Sequence, residues 1–188
     1  MPLQQIITTW FALNGSNDES PSGVNDLRTG APQFVGGLNI GDYFDLTEQE
    51  ANEHSWTQIG ILHAGRYRRV QIYSTATASL IDKGLVGFMV PALVPELNIV
   101  TSASQGLHNV RTVIFLNKVD PGKYCFIQEL GVANVKMSAA GAAGATIGVT
   151  PATGLGTAGT TPAIGTLLEA ATANATARVL LNLPVVQG

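Results

Sequence analysis

The residues Asn117-Lys118-Val119-Asp120 follow the apolar run Val113-Ile114-Phe115-Leu116 in the order that nucleotide-binding proteins use to read guanine, where an aspartate at a strand end accepts hydrogen bonds from the base. That element acts only beside a glycine-rich loop that cradles phosphate and ends in Lys-Ser or Lys-Thr. The one Gly-Lys pair, Gly122-Lys123, is followed by Tyr124 and lies after the motif instead of ahead of it. Asn117 to Asp120 therefore reads as the end of a hairpin. The histidines His54, His63 and His108 lack the spacing that sets two imidazoles on one helix face, and no Gly-x-Ser-x-Gly elbow is present. Asp42 and Asp45 do not open a calcium-binding loop. Cys125 is the sole cysteine, which excludes an internal disulfide, and its setting between Tyr124 and Phe126-Ile127 reads as a buried strand position. No catalytic residue, no metal ligand and no cofactor site is expected, and the chain reads as a non-enzyme.

The remaining chemistry is that of contact surfaces. Arg66, Arg68 and Arg69, with Tyr67 between them, form the one basic cluster. It reads as a strand with a charged solvent face, or as the lining of a contact with an acidic neighbour. Nucleic acid is a poor fit as the main ligand, because neutralising phosphates takes a dense basic face and the chain carries a net charge of −3. Charged residues make up 12% and hydrophobic residues 45%, with mean hydropathy +0.22, so the surface must carry more apolar and small-polar area than an ordinary soluble monomer shows. No apolar stretch approaches the ~18 residues of a membrane-spanning helix. Met1 to Gln5 has no basic start and leads into no signal-like apolar region, so synthesis in a cytoplasm is expected. What remains is a chain whose partners are other proteins.

The elements that must position these residues divide the 188 residues into an N-terminal arm and loop, 1–40, and a β-rich body, 41–188. In the arm, Ile6 to Leu13 is β-branched and aromatic enough to form a strand, and Asn14 to Pro32 is dense in Gly, Ser, Asn, Asp and Pro. Ile6, Ile7, Trp10 and Phe11 are the arm residues expected to bind a partner, by pairing with a distant sheet edge. One short helix is expected, with a capping box at Asp45 to Glu48 or, in the second register, at Thr47 to Glu50, running to about Trp56. Its acids Glu48, Glu50 and Glu53 suit the positive end of a helix. Strands are predicted at Tyr67 to Thr75, Gly84 to Pro91, Val110 to Leu116, Lys123 to Leu130, Val132 to Met137, Thr146 to Val149, Ile164 to Ala170 and Arg178 to Leu183, with a turn at Asp120-Pro121-Gly122. In the last strand Ala177, Val179, Leu181 and Leu183 face one way, and Arg178, Leu180 and Asn182 the other. The Ala/Gly/Thr-rich stretch 138–162 reads as a long loop. The fold class is mainly β: a small β-barrel or sandwich body with an extended N-terminal arm and one short helix.

Several stretches carry a family resemblance. Gly65 to Gln71, Lys83 to Phe88, Pro121 to Ala133, Ile164 to Ala171 and Ala177 to Asn182 together resemble the capsid decoration, or cement, proteins of tailed bacteriophages, over roughly the second two-thirds of the chain. The resemblance implies a homotrimer on the capsid exterior of the virion that clamps neighbouring major capsid protein subunits, with no membrane and no nucleic acid as partner. A head-fibre or host-attachment module that binds glycans is the alternative; it predicts an exposed aromatic cluster around Trp56 and Tyr67.

Overall fold

The computed structural model describes residues 41, 43–53, 63–90, 99–102, 111–160 and 163–181. The arm with Ile6, Ile7, Trp10 and Phe11 lies outside these residues, as do His54, Trp56 and His108. Among the described residues the chain is mainly β. The strands are β1 (Tyr43–Leu46), β2 (Gly65–Ile72), β3 (Val86–Met89), β4 (Ile99–Ser102), β5 (Thr112–Phe115), β6 (Tyr124–Lys136), β7 (Thr146–Thr150), β8 (Leu155–Ala158), β9 (Gly165–Leu167) and β10 (Thr176–Leu181), with one helix, α1 (Glu48–Glu53), and a 3₁₀ turn at Ala78–Leu80.

All ten strands join one sheet in the order β1-β2-β4-β3-β5-β6-β10-β9-β7-β8. The long strand β6 organises it. Its first half pairs antiparallel with β2 and, briefly, with β5, while β2 also pairs parallel with β4 and so links back through β3 to β5. These pairings make a partial ring and no closed barrel. The second half of β6 pairs with β10, which continues through β9 and β7 to β8; a single bridge from Gly156 to Met137 brings β8 back beside the end of β6.

Two apolar clusters fill this frame. Val70, Ile72, Ile81, Val100, Val113, Phe115, Val119, Cys125 and Ile127 pack together on one side. Val86, Phe88, Ile114, Val135, Met137, Ile147, Val149, Leu167, Val179 and Leu181 pack on the other. Strand β5 explains why Val113-Ile114-Phe115 is an unbroken apolar run. Alternate side chains leave opposite faces, so Val113 and Phe115 enter one cluster and Ile114 the other. In β10, where one face is open, the expected alternation holds: Ala177, Val179 and Leu181 are buried, Arg178 and Leu180 exposed.

Three expectations change. The stretch 138–162 is no long loop, because β7 and β8 form a hairpin within it. Ile147 and Val149 supply its apolar anchors, and Gly156 lies so close to the core that a Cβ there would stand 2.9 Å from Val135 Cγ1. The two strands expected at Lys123 to Leu130 and Val132 to Met137 are one continuous strand through Gly131. The helix uses the second capping register, beginning just after Thr47, whose carbonyl accepts a hydrogen bond from Ala51 N–H at 3.0 Å. Asp45 lies inside β1 and is engaged elsewhere. The turn at Asp120 closes as expected, with Lys123 N–H donating to the Asp120 carbonyl at 3.2 Å and Gly122 at φ +83°.

Candidate functional site

Strand β2 carries the basic cluster, and strand geometry separates its members. Tyr67 and Arg69 are buried, whereas Arg66 and Arg68 stand on the partly open face. Across the β1–β2 ladder Asp45 lies opposite Arg66 and Tyr43 opposite Arg68. Cross-strand neighbours share a face, so these side chains meet. Arg66 Nε donates to Asp45 Oδ1 at 2.8 Å and Nη2 to Oδ2 at 2.9 Å, a two-pronged pair. The exposed Tyr43 ring lies 4.5 Å from the Arg66 guanidinium carbon and 5.3 Å from that of Arg68, within the range of cation–π attraction.

On the other side of β2 the ladder slips. Arg66 pairs with Leu130 and Tyr67 with Gln128, which leaves Glu129 as the extra residue of a bulge in β6. A bulge re-aims the side chains beside it. Here the Glu129 carboxylate, with 4% of its side chain exposed, takes Arg68 Nε at 2.5 Å and Arg68 Nη2 at 3.3 Å, and Arg111 Nη1 approaches both its oxygens at 3.4 Å. Arg68 Nη1 also donates to the Gly41 carbonyl at 2.8 Å. The result is a charged row, Asp45, Arg66, Arg68, Glu129 and Arg111, in which each arginine is paired with an acid and Tyr43 covers Arg66 and Arg68.

The other residues singled out by type fall apart. Tyr67 is fully buried and donates its hydroxyl to the His63 carbonyl at 2.6 Å, and burial pushes its phenol well above the ordinary range. It cannot join Trp56 in an exposed aromatic cluster, so that feature of the glycan-binding reading is overturned. Glu48 fastens the strand entry: its Oε2 accepts Ala64 N–H at 2.7 Å and its Oε1 lies 3.6 Å from His63 Nδ1. Among the described residues no group of three or more His, Cys, Asp or Glu side chains converges to hold a metal. A cleft of about 10 Å³, lined by His63, Lys83, Gly84, Ile114, Phe115, Leu116, Gln128 and Asn134, has room for roughly one water.

Two exposed ion pairs give this surface a defined acid response. The Arg66 hydrogen bond holds the Asp45 carboxyl below its ordinary value of 3.8, and the Lys136 hydrogen bond does the same for Asp82. Each pair stabilises the fold fully above the ordinary value and loses that contribution as pH falls through the lowered one. Stability should therefore be flat from neutral pH down to about 5 and fall below about 4, with each pair worth at most about 1 kcal/mol because solvent screens both. In the double substitution Asp45→Asn with Asp82→Asn, denaturant midpoints measured against pH should show a shallower acid slope.

The sequence cluster Arg66, Arg68 and Arg69 was visible in advance; Tyr43, Asp45, Glu129 and Arg111 were not. Their signal is register, which appears only once β1, β2 and β6 are aligned. No protein-family model and no curated protein matches the chain. Among solved structures, the head fiber gp8.5 N base of bacteriophage phi29 is similar to it, with a TM-score of 0.43 and 13% sequence identity, over 63% of this chain and 96% of that one.

Proposed function

We propose that this chain is a structural virion protein that lies on the outer surface of a tailed-phage capsid, as a homotrimer, and stabilises the shell by bridging major capsid protein subunits. The observation that carries the reading is the outward face of β6, β10 and β9. Leu180 stands between Val132 and Thr166 in one cross-strand row, with Leu168 nearby, and the two leucines are 44% and 43% exposed. Around Leu180 this pleated face carries aliphatic and small side chains, and its charges Arg178 and Lys136 are already paired with Glu169 and Asp82, so it can lie flat on another protein with close backbone approach. The resemblance of Pro121 to Ala133 and Ala177 to Asn182 to cement proteins, and the 12% charge content, support the same reading.

In this reading the arm residues Ile6, Ile7, Trp10 and Phe11 add a strand to a neighbouring subunit, and the Arg66 and Arg68 face makes a second contact. Several modest contacts acting together resist separation of capsomers far better than each alone. Arg69 is buried in its own chain, so its part is to support β2 from within.

Deleting residues up to Pro32, and separately changing Leu168 and Leu180 to glutamate, should each lower occupancy on particles at least about tenfold as counted by electron microscopy, while circular dichroism shows the body folded. Full occupancy in both variants would end the proposal.

A further inference from the structure

Two stretches of the chain, thirty positions apart, fold alike. The end of β6, the eight residues after Met137 and strand β7 form the first; strand β9, the eight residues after Leu167 and strand β10 form the second. Ala140, Ala143, Ala145, Thr146 and Val149 recur as Ala170, Ala173, Ala175, Thr176 and Val179. The buried positions match as well, Met137, Ile147 and Val149 in the first stretch and Leu167, Ala177 and Val179 in the second. Each arch between the strands turns on a left-handed residue at the same place, Gly144 at φ +83° and Asn174 at φ +59°. Asn174 is the one non-glycine residue with positive φ among the described residues, and asparagine is among the side chains that tolerate it best.

The two stretches hold each other by reciprocal bonds. Gly141 N–H donates to the Ala171 carbonyl at 3.1 Å, and Ala171 N–H to the Gly141 carbonyl at 2.8 Å. Gly144 N–H donates to the Leu167 carbonyl at 2.8 Å, and Asn174 N–H to the Met137 carbonyl at 2.9 Å. Leu167 N–H donates to the Ala145 carbonyl at 2.9 Å, and Met137 N–H to the Ala175 carbonyl at 2.8 Å. The ladders follow the same rule, with Ile147 opposite Gly165 and Ala177 opposite Val135. Exchanging the two stretches returns the same set of bonds, which is the property of a two-fold contact. Strand β8 breaks the symmetry. Val179 pairs directly with Leu167, whereas their equivalents Val149 and Met137 have Gly156 between them, paired with both. Beside it, Thr157 Oγ1 lies 2.6 Å from Ser138 Oγ and 2.6 Å from Thr150 Oγ1. The residues at those two places in the second stretch are the exposed Leu168 and Leu180.

We infer that this half of the molecule is a two-fold pair of one self-complementary unit, a strand, an arch and a strand, whose binding partner is a second copy of itself carried in the same chain, and that β8 is a strand wedged into the first copy. Two turns alike by chance would repeat the turn; they would not repeat the bonds exchanged between them. The wedge divides the labour of the copies. Through Val86 N–H on the Gly154 carbonyl at 2.9 Å, and through Leu155 packed against the cluster of Val70 and Ile72, β8 ties the first copy to the rest of the sheet. Where the first copy presents hydroxyls to β8, the second presents leucines to the surface. The inference is independent of the capsid reading, since no viral particle enters the test.

The test uses the full chain, in which Cys125 is buried. Around the antiparallel bridge from Gly141 to Ala171, register sets the exposed Ala140 opposite Thr172 and Ala142 opposite Ala170, and the two-fold turns one pair into the other. Ala140→Cys with Thr172→Cys, and Ala142→Cys with Ala170→Cys, should form disulfides to the same extent within about twofold, read by mass spectrometry after mild oxidation. Ala140→Cys with Ala170→Cys, a diagonal too long to bridge, should form at most about a tenth as much. Rewriting the second arch with the residues of the first (Ala171→Gly, Thr172→Ala and Asn174→Gly) should leave the thermal midpoint within about 5 °C of the parent. The reverse rewriting (Gly141→Ala, Ala142→Thr and Gly144→Asn) should lower it by about 10 °C. A Cβ at position 141 would stand 2.7 Å from Leu167 Cδ1 and 3.1 Å from Ala158 Cβ of the wedge, which the second copy lacks. Unequal disulfide yields from the two related pairs, a loss of about 10 °C or more in the first rewriting, or equal losses in both rewritings would each overturn the inference.

Discussion

Replacing Glu129 by alanine is expected to lower the thermal midpoint by roughly 5–10 °C, the counterpart of about 2–3 kcal/mol in a chain of this size. The carboxylate is almost fully buried, and two guanidinium groups have given up water to meet it. Its removal leaves Arg68, with only 14% of its side chain exposed, beside a void where its counter-charge stood. Breaking one end of a buried pair costs about 3–5 kcal/mol in general. The lower figure applies here because Arg111 is half open to water and Arg68 keeps its bond to the Gly41 carbonyl. The alternative is that Glu129 is a minor surface charge, in which case the midpoint would move by no more than about 2 °C. A second variant separates charge from packing. Glu129→Leu with Arg68→Met removes both ends of the pair and keeps the volume, and should recover most of the lost stability. Failure of the double variant to recover would locate the cost in the bulge itself.

How much of this was legible in the residues depends on where the determining partner lies. Strand β10 was readable because its signal is local: one face is buried, so Ala177, Val179 and Leu181 alternate with Arg178 and Leu180. Of the β7–β8 hairpin, β7 was readable at Thr146 to Val149, but β8 was not, because Gly, Ala and Thr carry little periodicity, and β8 is placed by its ladder to β7 and its bridge to Met137. Asp45 shows the same limit at a single side chain. Read locally, it is a helix cap with Glu48 three residues on. Whether its carboxylate caps a helix or pairs across strands is decided by Arg66, twenty-one positions away. Within β2 the alternation did hold information: it puts Arg66 and Arg68 on one face and Tyr67 and Arg69 on the other, which argues against Tyr67 as a surface aromatic. The burial of Glu129 had no local sign, since it comes from a slip between two strands sixty residues apart. The Asp82–Lys136 ion pair was hidden for a similar reason: the two residues are brought together only by the passage of β6 beside Gly84.

The largest loss is expected at Gly131, where β6 leaves β2 and turns towards β10. This residue pairs with Gly65 on one side and Leu181 on the other. Its φ of +93° is one that residues with a side chain rarely adopt. A Cβ here would fall inside contact distance of the Ala64 carbonyl oxygen and 2.6 Å from Gly65 Cα, both backbone atoms that cannot rotate away. Gly65 repeats the constraint from the opposite strand, where a Cβ would collide with the Leu130 carbonyl oxygen. The two glycines thus form a crossing without side chains, and through it one strand serves both halves of the sheet. Gly131→Ala should cost about 4 kcal/mol or prevent folding altogether, read as soluble yield and denaturant midpoint. Gly122→Ala is the control, because its φ of +83° is equally unfavourable but an added Cβ would meet nothing within 4 Å. That variant should lose only about 1–2 kcal/mol, the dihedral cost alone. The gap between the two measures the steric demand of the crossing. Equal losses would mean that β2 can move aside, and that Gly131 is no more than a bend in the strand.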